Sequence, residues 1–175
     1  MIDLHIGRQT FDFDCGAKAL QTVLAYYGLE VREDELMKEL GTGEDGTPVE
    51  NAIAVAKAKG FRVEAGEHWT ILDVKRHVDE GDPVIVLLQA WAERFMTVRD
   101  WRTDYEDGHY AIVIGHAKGV LLFEDPASFR RTWLREYEFL SRWHDKDPKS
   151  DRKFEQFGMV LLGKEPAERI VEHMD

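Results

Sequence analysis

Residues 9–28 read QTFDFDCGAKALQTVLAYYG, a short mixed segment that runs into an amphipathic helix. Beyond the cysteine the apolar residues recur three or four positions apart, and Gly28 closes the pattern. Cys15, the single cysteine of the sequence, is therefore predicted to lie at the N-terminus of a helix. Asp14 precedes it, and we expect its carboxylate to point away from the sulfur and to cap the helix.

Helical patterns dominate the first half of the chain, and short apolar runs dominate the second half. After the helix that starts at Cys15, the patterns predict helices over 32–40, 47–59, 70–80 and 132–143, and strands over 61–64, 83–88, 110–114, 120–123 and 159–162. The segment Thr47-Pro48-Val49-Glu50 has a capping-box pattern. Residues 145–153 are expected to form a charged loop, and the last ten residues a helix or a frayed tail. Helices that precede strands predict an α+β class, with helices packed on a mostly antiparallel sheet.

Composition narrows the class of protein. A length of 175 residues fits a single domain, 1–175. The 34 acidic residues outnumber the 23 Lys and Arg residues, a net charge of −11 that argues against a nucleic-acid partner. The longest apolar run, 83–88, is far shorter than the roughly 20 residues of a membrane helix. We expect no integral membrane segment.

The number of cysteines and the N-terminal sequence both indicate a cellular compartment. One cysteine excludes an internal disulfide and a cysteine-rich metal site, and it fits a reducing compartment. The first twenty residues contain acids and no apolar run of signal-peptide length. The expected location is cytoplasmic.

Cys15 and His109 are candidates for nucleophilic chemistry. A thiol attacks as its thiolate, which both a helix N-terminus and a neighbouring imidazolium favour. His109 begins the predicted strand at 110–114 and could be that partner, if this strand lies against the helix of Cys15. It could then protonate a leaving amine.

Two further residues complete a candidate site. If strands 110–114 and 120–123 form a hairpin, Asp125 lies at the same open end as His109 and could fix the tautomer of its ring. Gln9 precedes the cysteine by six residues, close enough for its amide to hold an oxyanion together with the backbone N–H of Cys15.

These four residues, in this order, resemble the pattern of the C39 peptidases, papain-like cysteine proteases that process bacteriocin and quorum-signal precursors. The matching segments are residues 9–16, Leu20, 26–28, 81–85, 108–110, 113–115 and 125–126. The resemblance implies a papain-like fold with Cys15 as nucleophile, His109 as general acid and base, Asp125 as the orienting carboxylate and Gln9 as oxyanion donor. It further implies a peptide or protein substrate.

The chain also departs from the best-known members, which are fused to a membrane exporter and cut after a double glycine. It contains neither a transmembrane run nor a nucleotide-binding loop, so an exporter substrate is not assumed. Residues 90–107 form an extra aromatic-rich segment, a lid or groove wall on one interpretation and a local hydrophobic cluster on the other. Arg130, Arg131 and Arg135 form a basic cluster that could receive an acidic group or pair with surrounding carboxylates.

Other functions remain open on the same residues. A Cys-His-Asp set only prepares acyl transfer, so a deamidase, a transglutaminase-like enzyme or an acyltransferase is an alternative to a peptidase. A non-catalytic peptide-binding module is another. The remaining histidines show no metal-binding spacing, so no metal and no cofactor are expected; they are His5, His68, His77, His116, His144 and His173. The oligomeric state is not readable from the sequence.

Overall fold

The structure is a computed structural model that describes residues 1–4, 7–147 and 149–167. Its helices are α1 (Cys15–Tyr26), α2 (Glu33–Leu40), α3 (Val49–Ala58), α4 (Ile71–Glu80), α5 (Val98–Trp101) and α6 (Glu136–Arg142). Its strands are β1 (Arg62–Gly66), β2 (Val84–Gln89), β3 (Gly108–Ala117), β4 (Val120–Glu124), β5 (Thr132–Arg135), β6 (His144–Lys146), β7 (Lys153–Glu155) and β8 (Gly158–Leu162).

Six strands form one sheet in the order β1-β8-β2-β3-β4-β5, and β6 and β7 form a separate pair. Every pairing between neighbouring strands is antiparallel. The centre of the sheet is apolar, since all six residues of β2 are buried. Helices α1 and α4 pack on β3. The α+β prediction with a mostly antiparallel sheet is confirmed.

Helix α1 lies unusually close to the sheet at its first turn. A Cβ at Gly16 would lie 2.6 Å from Thr47 Cβ and 3.0 Å from Tyr110 Cδ2. Contacts this short leave no space for a side chain, so the residue after Cys15 must be glycine for the helix to approach β3. Along α1, Ala17, Val23 and Leu24 have no exposed surface and join the core.

Two predicted elements are wrong in the second half of the chain. Residues 132–143 do not form one helix but strand β5 followed by α6, because Thr132 and Leu134 alternate in burial with their exposed neighbours and pair with β4. Residues 145–153 are not simply a charged loop, because their two ends lie in β6 and β7, which pair with each other.

The predicted capping box at Thr47 is also wrong. Pro48 precedes α3 and no side chain caps that helix. The hydroxyl of Thr47 instead bonds the hydroxyl of Thr42 at 2.8 Å, in a buried position. Of the last ten residues only 166 and 167 lie within the described part, so the prediction for that segment falls outside it. None of the described helices combines the length and the apolarity that crossing a membrane requires.

Candidate active site

Cys15, His109 and Asp125 come together where β3 begins and β4 ends. Cys15 is the first residue of α1, His109 the second residue of β3, and Asp125 the residue that follows β4. β3 and β4 are antiparallel, with Ile112 opposite Glu124, so the start of one strand lies beside the end of the other. All three side chains are buried, with 5–8% of their surface exposed.

His109 joins the other two side chains. Its Nε2 lies 2.7 Å from Oδ1 of Asp125, and its ring lines the same cavity as the side chain of Cys15. Because Asp125 occupies Nε2, the nitrogen that remains for the sulfur is Nδ1. Burial alone would lower the pKa of His109, but the hydrogen bond to Asp125 and the interaction with the side chain of Cys15 outweigh it and raise the pKa to about 10. The arrangement favours an imidazolium beside the sulfur.

Four donors surround the Asp125 carboxylate. Oδ1 accepts from His109 and from the backbone N–H of Ala127 at 2.9 Å. Oδ2 accepts from the indole N–H of Trp91 at 3.1 Å and from the hydroxyl of Thr132 at 3.4 Å. Burial would raise the pKa of Asp125, but the hydrogen bond with His109 and the other donors lower it below its usual value. Asp125 is therefore held ionised against His109.

The role of Trp91 could not be read from the sequence. The residue lies in the extra segment, two positions beyond β2, with a left-handed φ of 63° that turns its side chain back over Asp125. No spacing or periodicity marks a tryptophan for such a contact. The extra segment also contains a local cluster, since the buried Trp101 packs under the Arg142 guanidinium 4.1 Å from its ring centroid. Phe95, by contrast, is 91% exposed.

Gln9 is near the site, but its amide is directed elsewhere. Its backbone N–H donates to the carbonyl of Pro126 at 2.9 Å, which fixes the segment beside Asp125. Its side-chain Nε2 donates to the carbonyl of Phe11 at 2.7 Å, and its Oε1 is buried without a hydrogen-bond partner. The oxyanion role of Gln9 needs a rotation of this side chain and stays a prediction.

Asp14 does not cap α1, so that part of the prediction is wrong. Its Oδ2 accepts from the backbone N–H groups of Thr10 and Phe11, at 3.0 and 3.1 Å, because the preceding segment folds back over it. The side chain of Asp14 makes no hydrogen bond to the first turn of α1. The carboxylate is fully buried, and burial is the main cause that raises its pKa. The helix N-terminus thus keeps N–H donors beside Cys15.

A cavity of about 260 Å³ opens beside Cys15 and His109. Five carboxylate residues and one lysine contribute to its walls, namely Asp12, Glu44, Asp45, Glu106, Asp145 and Lys146. Asp145 is the buried one, and its Oδ1 accepts from Gln89 Nε2 at 2.9 Å. Burial raises the pKa of Asp145 to about 6. Asp145 is not among the residues predicted for the site, because its charged surroundings in the sequence predict a loop.

The basic cluster pairs largely with its neighbours. Arg131 Nε lies 2.6 Å from Oε1 of the buried Glu124, and its Nη2 lies 3.4 Å from Asp3. Arg135 donates to the hydroxyl of Tyr137 at 3.1 Å. The interpretation as internal ion pairing therefore fits Arg131.

Several solved structures have the same fold as this chain. The peptidase domain of Streptococcus ComA, a bifunctional ABC transporter in a quorum sensing pathway, is 21% identical, with a TM-score of 0.64 over 91% of this chain and 98% of that one. A double glycine motif protease from an AMS/PCAT transporter, solved with its leader peptide, is 18% identical, with a TM-score of 0.63 and 91% of both chains covered. A C39-like peptidase from Bacillus anthracis is 14% identical, with a TM-score of 0.71 over 93% and 96% of the two chains. The fold is papain-like, that of the C39 peptidase domains.

The family follows from the sequence itself. Residues 3–146 match the model of the peptidase C39 family, and the chain belongs to that family. It is similar to uncharacterized proteins of two methanogens. That of Methanothermobacter marburgensis is 38% identical over 75 residues, 43% of this chain and 52% of the relative. That of Methanothermobacter thermautotrophicus is 32% identical over 103 residues, 56% of this chain and 72% of the relative. The chain therefore spans about half the length of the first relative. Family and fold support a cysteine peptidase.

Proposed function

We propose that the protein is a cysteine peptidase that hydrolyses a peptide bond through Cys15, His109 and Asp125. The observation that carries the proposal is the position of His109, whose Nε2 is bonded to Asp125 at 2.7 Å and whose ring lines one cavity together with Cys15. This arrangement supports a nucleophile, a base and an orienting group that act in that order, as acyl transfer by a thiol requires.

In the proposed mechanism the Cys15 thiolate attacks the substrate carbonyl carbon, and a tetrahedral intermediate forms. Its oxyanion is held by N–H groups at the start of α1, which no side chain caps. Gln9 adds a donor once its amide leaves the carbonyl of Phe11. His109 gives the proton to the leaving amine, and an acyl-enzyme remains on Cys15.

In the hydrolysis of the acyl-enzyme, His109 acts first as a base instead of an acid. His109, now neutral, takes a proton from water as the water attacks the thioester carbonyl carbon. The thiolate leaves, the product carboxylic acid departs, and the imidazolium forms again. Asp125 keeps the ring in one orientation and stabilises its charged form throughout, because its Oδ1 stays bonded to Nε2.

The acidic cavity supports a preference for a basic residue beside the scissile bond. Asp145 is buried at the wall of the cavity that contains Cys15, and four more carboxylate residues line it against a single lysine. A lysine or arginine side chain of a peptide would be attracted there, and an acidic one repelled. A cytoplasmic location is part of the proposal, supported by the free thiol.

Labelling of Cys15 is the direct test. We expect iodoacetamide at about pH 6 to alkylate Cys15 much faster than a free thiol, because the imidazolium of His109 favours the thiolate. Mass spectrometry after brief exposure to a peptide substrate should show an acyl-enzyme, which Cys15→Ala abolishes together with turnover. Labelling at the rate of a free thiol, or an unchanged activity of Cys15→Ala, would contradict the proposal. Transfer of the acyl group to an amine in preference to water would point to an acyltransferase.

A further inference from the structure

The end of α4 gathers three potential metal ligands away from Cys15. Gly81 follows the helix with a left-handed φ of 94°, and the backbone N–H of Asp82 donates to the carbonyl of His77 at 2.9 Å. This turn folds Asp82 back over the last helical turn, which carries His77 and Glu80. Within residues 1–4, 7–147 and 149–167, one ligand atom from each of these three lies within 4.8 Å of the other two.

His77 is a buried polar side chain with one nitrogen unused. The residue is 1% exposed, and its ring stacks on Trp69 with centroids 5.2 Å apart. Its Nδ1 is buried without a hydrogen-bond partner. This atom lies 3.6 Å from Oδ2 of Asp82 and 3.8 Å from Oε2 of Glu80, too far for a hydrogen bond to either.

The separations of 3.6 and 3.8 Å from Nδ1 come close to those around a small cation, so a small inward movement of Glu80 would complete the site. In a tetrahedral site with bonds of about 2.0–2.2 Å, ligand atoms lie about 3.3–3.6 Å apart. The two carboxylates also stand at the negative end of the α4 dipole, where a cation is favoured over an anion. Zn²⁺ accepts both imidazole nitrogen and carboxylate oxygen, whereas Mg²⁺ and Ca²⁺ prefer oxygen alone.

We propose that His77, Glu80 and Asp82 form a binding site for a divalent zinc-type cation, with water as the remaining ligand. Asp82 is oriented for this task, because its Oδ1 accepts from the hydroxyl of Tyr27 at 3.3 Å and leaves Oδ2 toward His77. The hydroxyl of Tyr26 donates to the carbonyl of Gly81 at 2.9 Å. A bound cation would therefore hold the end of α4 to the turn that follows it, which Tyr26 and Tyr27 already join to the end of α1.

Arg76 is the competing cation at this place. Its guanidinium lies 3.1 Å from Nε2 of His77 and 3.3 Å from Oε2 of Glu80, and the side chain is half exposed. With Arg76 donating to Nε2, the ring proton sits on Nδ1. Metal binding moves this proton to Nε2, where Glu64 Oε1 lies 3.6 Å away and can accept it once Arg76 has swung outward.

The site stands apart from the proposed reaction. Tyr26 and Cys15 are the two ends of α1, a helix of 12 residues, so the two places are separated by about 16 Å along its axis. The cation would act on stability and not on the acyl-transfer chemistry. Failure of the peptidase proposal would leave this site untouched.

The test is a calorimetric titration of ZnCl₂ into the full chain carrying Cys15→Ala, which removes the thiol as a competing ligand. We expect one equivalent of Zn²⁺ to bind and to raise the unfolding temperature. His77→Gln and Asp82→Asn should each weaken binding at least about tenfold, and Arg76→Gln should strengthen it. If His77→Gln fails to fold, Glu80→Gln provides the same test, because Glu80 is about half exposed.

A matched control is available in the same protein. His116 and Asp79 form a more exposed pair, 2.9 Å apart, and His116→Gln should leave the affinity for Zn²⁺ unchanged. Binding that persists unchanged in His77→Gln and Asp82→Asn would overturn the proposal, as would no binding at all. Equal affinity for Mg²⁺ would overturn the role of the imidazole.

Discussion

The indole N–H of Trp91 donates to Oδ2 of Asp125 at 3.1 Å, on the carboxylate oxygen opposite to the one that holds His109. A residue of the extra segment thus covers the carboxylate that orients the proposed base. Trp91 is 56% exposed and adopts a left-handed backbone conformation. Such a conformation is uncommon for a bulky residue and persists only where the surroundings favour it.

Trp91→Phe keeps an aromatic ring and removes the N–H donor. We expect a several-fold loss in kcat, with a smaller change in KM, because Asp125 loses one of its donors and holds His109 less firmly. The alkaline limb of the pH profile should also move to lower pH. The control is Phe95→Leu, an aromatic residue of the same segment that is 91% exposed and lines neither the cavity of Cys15 nor that of Trp91. A loss confined to KM would instead assign Trp91 to substrate contact.

Asp125→Asn tests the orienting carboxylate. Replacement of the charged acceptor by an amide removes the stabilisation of the imidazolium and leaves the size of the side chain unchanged. Proton transfer by a positioned side chain contributes about 10²–10⁴-fold, and we expect kcat to fall within that range. The rate of Cys15 alkylation near pH 6 should fall with it. Asp79→Asn, an exposed change far from Cys15, is the control and should change neither quantity.

The stability of the protein should depend on His109 between about pH 7 and 10. Its pKa is raised to about 10 in the folded state, so its contribution is complete below the unfolded value of about 6.5 and is lost as the pH rises through 10. Each kcal/mol lost lowers Tm by about 2–4 °C in a domain of this size. Thermal melts at pH 7 and pH 9.5 should therefore show a larger fall in Tm for the wild type than for His109→Gln. Equal falls would contradict the raised pKa.

The proposed preference for a basic residue should depend on pH through Asp145. Burial raises its pKa to about 6, so the carboxylate attracts a basic side chain above this pH and loses that attraction below it. Comparison of peptides with lysine or norleucine near the scissile bond should show a ratio of kcat/KM that falls from pH 7 to pH 5. Asp145→Asn should reduce the preference about tenfold at pH 7 and remove its pH dependence. A ratio near one at every pH would exclude Asp145 from recognition.

Gly16→Ala tests the close approach of α1 to the sheet. The added Cβ would lie 2.6 Å from Thr47 Cβ, so the first turn must shift, at a cost of about 1–3 kcal/mol. Because this turn carries Cys15, activity should fall together with the free energy of unfolding in urea. Gly43→Ala is the matched control, since a Cβ there meets nothing within 4 Å. Equal stability of the two variants would mean that Thr47 can move away from the added Cβ, and it would contradict the prediction.

Much of the site was predictable because local patterns place it. The apolar period after Cys15 fixed the start of α1, and two short runs predicted the hairpin whose ends carry His109 and Asp125. The structure places those side chains 2.7 Å apart, as the hairpin predicts. Membership in the C39 family and the papain-like fold are confirmed as well.

The rest depends on long-range contacts that no local pattern reports. Trp91 reaches Asp125 through a backbone turn, and Asp145 is buried because β6 and β7 pair and pack beside β2 and β3. Asp14 was expected to cap α1, but the fold of the segment before it offered two backbone donors instead. A carboxylate among competing donors cannot be assigned from its sequence position alone.

The place of β8 in the sheet bears on the order in which the fold is completed. β8, near the end of the described chain, lies between β1 and β2 and pairs with both. Until the ribosome has released residues 158–162, β2 has an open edge beside the strand that carries His109. The sheet that supports the proposed reactive side chains is therefore completed only by a strand that lies far beyond Asp125 in the sequence.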